Sequence, residues 1–347
     1  MNKQKYYEIA SKRLIPHFAI WKEIEQYGPR IISKGEGVYI WDIEGNKYID
    51  TMSILWVVNV GHGRKEIIEA IYQQMQRINY VSLFGGYHHE KALELADLLC
   101  NILPVEAVFF SNSGGEAIET AIKLARQYHY VTGNPQKYKV VGRWHSYHGV
   151  TYGALSLSGI RQNRNFFEPL LPGFVHFETP YCYRCPFNGV YPSCNLRCAD
   201  DFEKLVENEG PKTICAVIVE PVMSALGSVY APDIKEYYRR IREVCDKYDI
   251  LLIFDEVNNG FGRTGKFFAY EHTGVIPDMF VFGKGITSGY APLGATAVSE
   301  KIAKVFKEWM FVHGYTFGGH PISSTAAIEN IKIIQNEKLY ENAEKMG

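Results

Sequence analysis

With 347 residues, 46% of them hydrophobic and 22% charged, the chain is long enough for roughly two or three structural units around a large core. Its 37 basic and 38 acidic residues leave a net charge of -1, which excludes charge-driven binding to nucleic acid, and the composition is that of a folded globular protein. No run approaches the ~20 apolar residues that a membrane span needs, and Met1 to Lys12 is polar and charged without an apolar signal core, so the expectation is a cytoplasmic protein with no membrane or nucleic-acid partner.

Residues 13 to 33 read as a short helix and an extended lead-in. Gly37 to Asp42 and Lys47 to Asp50 then alternate aromatic and β-branched residues around Glu44-Gly45-Asn46. This predicts a β-hairpin, so residues 1–62 form a small α+β unit. Helical periodicity begins after Gly63, with Ile67, Ile68, Ile71 and Met75 in one apolar stripe and Leu93, Leu95, Leu98 and Leu99 in another. From there strands are predicted over Ala107–Phe110, Lys139–Gly142, Ala216–Val219, Leu251–Phe254 and Met279–Phe282, with helices over 115–131, 199–208 and 233–247. Nearly all-apolar strands alternating with helices predict an α/β domain, a parallel sheet covered on both faces. A long helix over Pro321–Gln335 closes this large domain, residues 63–335, and the charged stretch 336–347 reads as the start of a further small-domain segment.

Ligands of such sheets gather at the carboxyl ends of the strands, and the chemistry-bearing residues cluster there. Lys284, in Gly283-Lys284-Gly285, follows the apolar run Met279–Phe282, and Leu251–Phe254 runs into Asp255-Glu256. A lysine at the mouth of one buried strand and a carboxylate at the mouth of another suit Schiff-base chemistry on pyridoxal 5'-phosphate (PLP). Burial would lower the lysine's pKa and free its amine. Asp255 against a pyridine nitrogen would keep that nitrogen protonated, a pairing worth roughly 5 kcal/mol at an effective dielectric of 20 before desolvation; the other reading of Asp255 is a helix cap. Ser113-Gly114-Gly115 passes from a strand into a helix, which suits a phosphate and equally suits an ordinary cap and turn. Tyr147-His148 follows Lys139–Gly142, where an aromatic ring stacks on a planar cofactor or packs the rim, and Glu220 ends Ala216–Val219 as a ligand or as a cap.

In combination these segments are more specific. Ser111-Asn112-Ser113-Gly114-Gly115-Glu116-Ala117, Tyr147-His148-Gly149, Glu220-Pro221, Asp255-Glu256-Val257 with Gly260-Phe261-Gly262-Arg263-Thr264-Gly265, Gly283-Lys284-Gly285-Ile286 and Gly314-Tyr315-Thr316-Phe317-Gly318-Gly319-His320-Pro321 come in the order seen in class III aminotransferases. The chain resembles that family from about residue 13 onward. The resemblance implies the fold type I of PLP-dependent transferases, with a mostly parallel seven-stranded sheet flanked by helices and a small α+β domain. It implies that Lys284 forms the internal aldimine and shuttles a proton, that Asp255 pairs with the pyridine nitrogen, and that Val257 and Tyr147 pack against the ring. Ser113, Gly114 and Gly115 would hold the phosphate, with His148 and Glu220 among the cofactor contacts. Thr316 would reach the phosphate of a neighbouring subunit, so that a homodimer, with tetramer formation left open, shares its active sites. Trp56 and Phe84 match segments that wall the substrate pocket in similar enzymes, and core packing is their other reading. Two departures stand out: Gly115 replaces a Ser common among relatives, and relatives continue for on the order of a hundred residues, a part that often supplies an arginine for the substrate carboxylate.

The implied activity is a ping-pong transfer of an amino group from an amine or ω-amino acid donor to a keto acid such as pyruvate. An aminomutase on the same scaffold and a non-catalytic binding protein remain as alternatives. Separately, Cys182-x2-Cys185-x8-Cys194-x3-Cys198 brings together four thiols that meet the tetrahedral demand of a structural zinc. The other readings are a reduced loop, a disulfide formed on oxidation, or an iron–sulfur cluster. Cys100, Cys215 and Cys245 lie alone and read as reduced thiols.

Overall fold

A computed structural model describes residues 2–347 and divides the chain into two compact units. One runs through Leu55 and takes in Gly61–Arg64; the other holds Trp56–Val60 and Lys65–Gly347. The smaller unit contains helices Lys3–Lys12 and Trp21–Tyr27 and a three-stranded antiparallel sheet, β1 (Ile32–Glu36), β2 (Tyr39–Asp42) and β3 (Lys47–Ile49), in that order. β2 and β3 form the predicted hairpin. Asp42 fixes its turn, because Oδ1 accepts the Glu44 and Asn46 backbone N–H groups at 2.9 Å each and Oδ2 accepts the Tyr48 hydroxyl at 2.7 Å. The Asn46 amide, with these partners, holds the Asp42 carboxyl down to about 2. β1, read from sequence as an extended lead-in, pairs with β2 from Ile32 opposite Asp42 to Glu36 opposite Tyr39.

The larger unit is built on a seven-stranded sheet of β4 (Ala107–Ser111), β5 (Lys139–Arg143), β6 (Phe174–Phe177), β7 (Ile214–Val219), β8 (Leu251–Asp255), β9 (Met279–Phe282) and β10 (Gly294–Val298). The spatial order is β4-β10-β9-β8-β7-β5-β6, with β5 to β9 parallel and β10 antiparallel to both of its neighbours. The five predicted strands are present, and β6 and β10 join them. β10 reads Gly-Ala-Thr-Ala-Val, too small-residued to announce a strand. Its Thr296 hydroxyl donates to the Ala117 carbonyl at 2.9 Å, which seats it under the helix Gly114–Val131. Every residue of β7, β8 and β9 is buried. Alternate side chains enter two cores: Val217, Val219, Leu252, Phe254, Phe280 and Phe282 face one, and Ala216, Ile218, Leu251, Ile253, Met279 and Val281 the other.

Helices Gly114–Val131, Arg197–Glu209, Ile234–Tyr248 and Pro321–Asn336 fall where periodicity placed them, and Leu339–Met346 lies in the charged stretch after them. The two early stripes need correction. In Lys65–Arg77, Ile67 is buried and Ile71 partly so, whereas Ile68 and Met75 are exposed; in Glu90–Ile102, Leu95 and Leu99 are buried and Leu93 is exposed. Both helices pack on Pro321–Asn336, which covers only a narrow strip of each. Gln74 occupies a buried position instead of Met75, with Nε2 donating to the Ile78 carbonyl at 3.1 Å. No described helix is long and apolar enough to cross a membrane.

Candidate active site

Three strand ends supply the site. Ser113-Gly114-Gly115 follows β4, Asp255 closes β8, and Lys284 follows β9 after one glycine. All of them, with Tyr147, His148 and Val257, line one cavity of about 500 Å³.

At the β4 turn, the Ser113 hydroxyl caps the helix Gly114–Val131 by accepting the Glu116 N–H at 3.3 Å. The Gly114 and Gly115 N–H groups head the first turn, where helical N–H groups have no intrahelical partner and the dipole favours an anion. The two glycines differ in room. A Cβ on Gly114 would sit 2.8 Å from Val257 Cγ1, whereas one on Gly115 would meet nothing nearer than Thr151 Cγ2 at 3.8 Å. The backbone is equally close at Gly283, whose added Cβ would lie 3.1 Å from Gly114 Cα.

Asp255 is 3% exposed; Oδ1 accepts the Val257 N–H at 3.0 Å, and Oδ2 lies 2.7 Å from Nδ1 of the buried His148. Its neighbour Glu256 turns away and accepts the Ala269 and Tyr270 N–H groups at 3.0 and 2.7 Å, burial pushing its carboxyl up to about 8. Lys284 has φ of 42°, a left-handed conformation that is strained for a lysine. Its Nζ donates to Asn258 Oδ1 and lies 5.5 Å from the centre of the Trp56 ring. Burial pulls the Lys284 pKa below the usual lysine range; Asp255 and Glu220 oppose this, and Arg263 adds to it.

Tyr147 is half-buried, and burial, with Asp255 nearby, pushes its hydroxyl pKa up. Its backbone N–H donates to Glu220 Oε1 at 3.2 Å, while Glu220 Oε2 accepts the Ser224 N–H at 3.1 Å. Glu220 is buried behind Tyr147 and does not line the cavity. Arg143, fully enclosed, anchors the same turn by donating to the Glu220 carbonyl, which also accepts the Tyr238 hydroxyl at 2.8 Å.

Two polar atoms in the cavity wall are buried without a partner: His148 Nε2 and Thr151 Oγ1. An unpartnered hydroxyl facing the open first turn at Gly115 suits a phosphate. A buried carboxylate and an amine whose pKa burial lowers suit a pyridine nitrogen and an aldehyde carbon. The donor set therefore fits PLP. Sequence reasoning missed Thr151, Asn258 and Val57, all of which line the cavity. Asn258 lies one residue beyond Val257, and only the turn after β8 aims it at Lys284.

Two expected residues lie elsewhere. Thr316 is exposed, its carbonyl accepting the Tyr80 hydroxyl at 2.7 Å. Phe84 is 52% exposed and packs at Gly314 on a second cavity of about 670 Å³, away from Lys284. The zinc reading finds no support: among the described residues no three or more His, Cys, Asp or Glu side chains are grouped so as to hold a metal ion. Cys182, Cys185, Cys194 and Cys198 are free thiols around a cavity of about 20 Å³. Cys198 is spent on the hydrophobic core, and burial pushes its thiol up to about 12.

The sequence profile of the family described as aminotransferase class-III matches residues 22–347. A putrescine–pyruvate aminotransferase of Pseudomonas aeruginosa is 40% identical over 296 residues, 85% of this chain and 64% of that protein. The chain spans 62–64% of the length of this relative and of two other curated aminotransferases. Among solved structures, an (S)-enantioselective omega-transaminase from Thermomicrobium roseum superposes with a TM-score of 0.95 at 39% identity, over 99% of this chain and 76% of that one. A PLP-bound amine transaminase from an uncultivated Pseudomonas species gives 0.92 at 36% identity, over 96% of this chain and 77% of its own. The fold, the order of the motifs and this extent of identity agree, and the chain belongs to the class III aminotransferases.

Proposed function

We propose that the protein transfers an amino group from an amine or ω-amino acid to a keto acid such as pyruvate, with PLP bound at Lys284. The observation that carries this reading is the sharing of one cavity by Lys284, Asp255 and the open helix turn at Gly114 and Gly115. The pyruvate-linked and omega-transaminase relatives support the choice of donor and acceptor. When bound, PLP supplies an electron sink that carries nitrogen between the two substrates.

The chain's own groups have separate tasks. Gly114 and Gly115 N–H groups and the Thr151 hydroxyl would hold the phosphate, with Ser113 shaping the turn. Asp255, oriented by His148, would pair with the pyridine nitrogen; Val257 and Tyr147 would confine the ring, and Glu220 fixes Tyr147 through its backbone. Lys284 Nζ is the amine that would hold the cofactor's aldehyde carbon, and as a free amine it would move the proton at the donor carbon that bears nitrogen. Trp56 walls the substrate side of the lysine. Phe84 and the exposed Thr316 reach a site only in a homodimer that shares its active sites, and we assign them to the partner's cavity. A soluble, cytoplasmic setting matches the composition.

Alanine formation from pyruvate, measured against a panel of ω-amines, β-alanine and taurine with added PLP, tests the reading. Turnover with at least one donor, abolished by Lys284→Ala, is expected. Turnover that survives the substitution would refute it.

A further inference from the structure

Among the described residues the one hydrogen bond of Lys284 Nζ runs to Asn258 Oδ1. Asn258 lines the cofactor cavity and sits on the turn that Asp255 ties down by accepting the Val257 N–H at 3.0 Å, with the Gly260 N–H returning to the Glu256 carbonyl at 2.8 Å. The turn that places the carboxylate therefore places the amide as well. The charged groups acting on Lys284 are Asp255 at the end of β8, Glu220 at the end of β7 and Arg263 beyond the turn; His148, after β5, is paired to Asp255, and the Trp56 ring covers the amine from residues 56–60. In this surrounding the atom in contact with the amine belongs to a neutral amide. An amide oxygen accepts an N–H from the amine in either charge state, whereas a carboxylate would favour the ammonium.

We propose that Asn258 is a positioning residue that docks the free amine of Lys284, holding Nζ at the cavity wall whenever it is not bonded to the cofactor. This rests on the assignment of Lys284 as the cofactor lysine. A neutral dock fixes the nitrogen's position and commits one N–H without locking the amine into its charged, unreactive form. It matters in two situations: the chain before PLP is captured, and the half of the transfer in which the lysine is released.

The test uses the purified chain freed of PLP. Reductive methylation of Lys284 with formaldehyde and cyanoborohydride is followed against pH by mass spectrometry of its peptide, in the wild type, Asn258→Asp and Asn258→Ala. Asn258→Asp is expected to raise the pH of half-maximal labelling by more than ~1 unit, because a carboxylate replaces the amide at hydrogen-bond contact. Asn258→Ala is expected to slow PLP capture about tenfold, the loss of one hydrogen bond, with the melting temperature unchanged. An unshifted midpoint in Asn258→Asp, or wild-type capture by Asn258→Ala, would overturn the proposal, and the second readout stands if the aspartate variant does not fold. Labelling requires no amino transfer, so a shifted midpoint in a chain that transfers no nitrogen would sink the proposed function and leave the dock standing.

Discussion

Gly114 and Gly115 are adjacent and both glycine, yet the structure predicts opposite results when each is changed to alanine. A Cβ on Gly114 would stand 2.8 and 3.0 Å from the two γ carbons of Val257, so side chain or backbone must move by about half an ångström or more. Overpacking of this kind costs about 1–3 kcal/mol, offset in part by the better helix propensity of alanine, up to ~1 kcal/mol. Because Val257 lines the cofactor cavity, the displacement is felt there, and PLP affinity is expected to fall about tenfold or more, at ~1.4 kcal/mol per decade. Gly115 meets only Thr151 atoms at 3.8 and 3.9 Å, and its φ is not in the left-handed region. Gly115→Ala should therefore bind PLP like the wild type and melt at the same temperature or slightly higher. The double variant Gly114→Ala with Val257→Ala removes both clashing methyls and should recover much of the affinity lost by Gly114→Ala. PLP titration followed by fluorescence quenching, with thermal melts of all four proteins, measures this. Wild-type affinity in Gly114→Ala, or an equal loss in Gly115→Ala, would refute the packing described for this turn.

Three other expectations follow from the same structure. Burial depresses His129 and His176 from 6.5 to about 4 each; the unfolded chain then takes up their protons below pH 6.5 while the folded chain resists until about 4. Stability from these groups is complete above pH 6.5 and falls through that window by about 2–3 kcal/mol per histidine, to be read by urea unfolding at pH 7 and 4.5. His129→Gln, which keeps a donor for the Cys215 carbonyl now met by Nε2 at 3.0 Å, should lower the slope of stability against pH by close to one proton. Thr151→Val should weaken PLP binding about tenfold and leave pyridoxal, which lacks the phosphate, unaffected in a competitive titration. Added zinc should leave the melting temperature unchanged, since among the described residues the thiols of Cys182, Cys185, Cys194 and Cys198, though they surround one small cavity, are not grouped as metal ligands; a rise with stoichiometric uptake would contradict that arrangement.

What sequence made legible here was chemistry attached to unambiguous strands. Asp255 and Lys284 stood out because Leu251–Phe254 and Met279–Phe282 are apolar enough to be read as buried, which placed both side chains at strand ends. β10 was not legible, because Gly-Ala-Thr-Ala-Val owes its strand state to its neighbours β4 and β9 and to the helix above it. The same limit applied to Ile68 and Met75, whose helical spacing suited a broad apolar stripe while the covering helix Pro321–Asn336 is narrow. Glu220 was singled out as a cofactor contact, but only the fold shows that it lies behind Tyr147 and accepts that residue's backbone N–H. Asn258 and Thr151 carry no sequence signal of their own; a turn aims one at Lys284, and burial without a partner singles out the other. The four-cysteine spacing satisfied a zinc pattern while saying nothing of how the thiols are oriented or that Cys198 is also part of the core.

The central claim is that nitrogen passes through the group bound at Lys284, and the visible spectrum tests it most directly. The PLP-loaded protein is mixed with a single ω-amine and no keto acid, and the long-wavelength absorption that PLP gains on bonding to Lys284 is followed; pyruvate is then added. The account predicts that the amine removes the absorption, that pyruvate restores it, and that Lys284→Ala shows neither change. An absorption that no amine alters, or one that persists unchanged in Lys284→Ala, would contradict it.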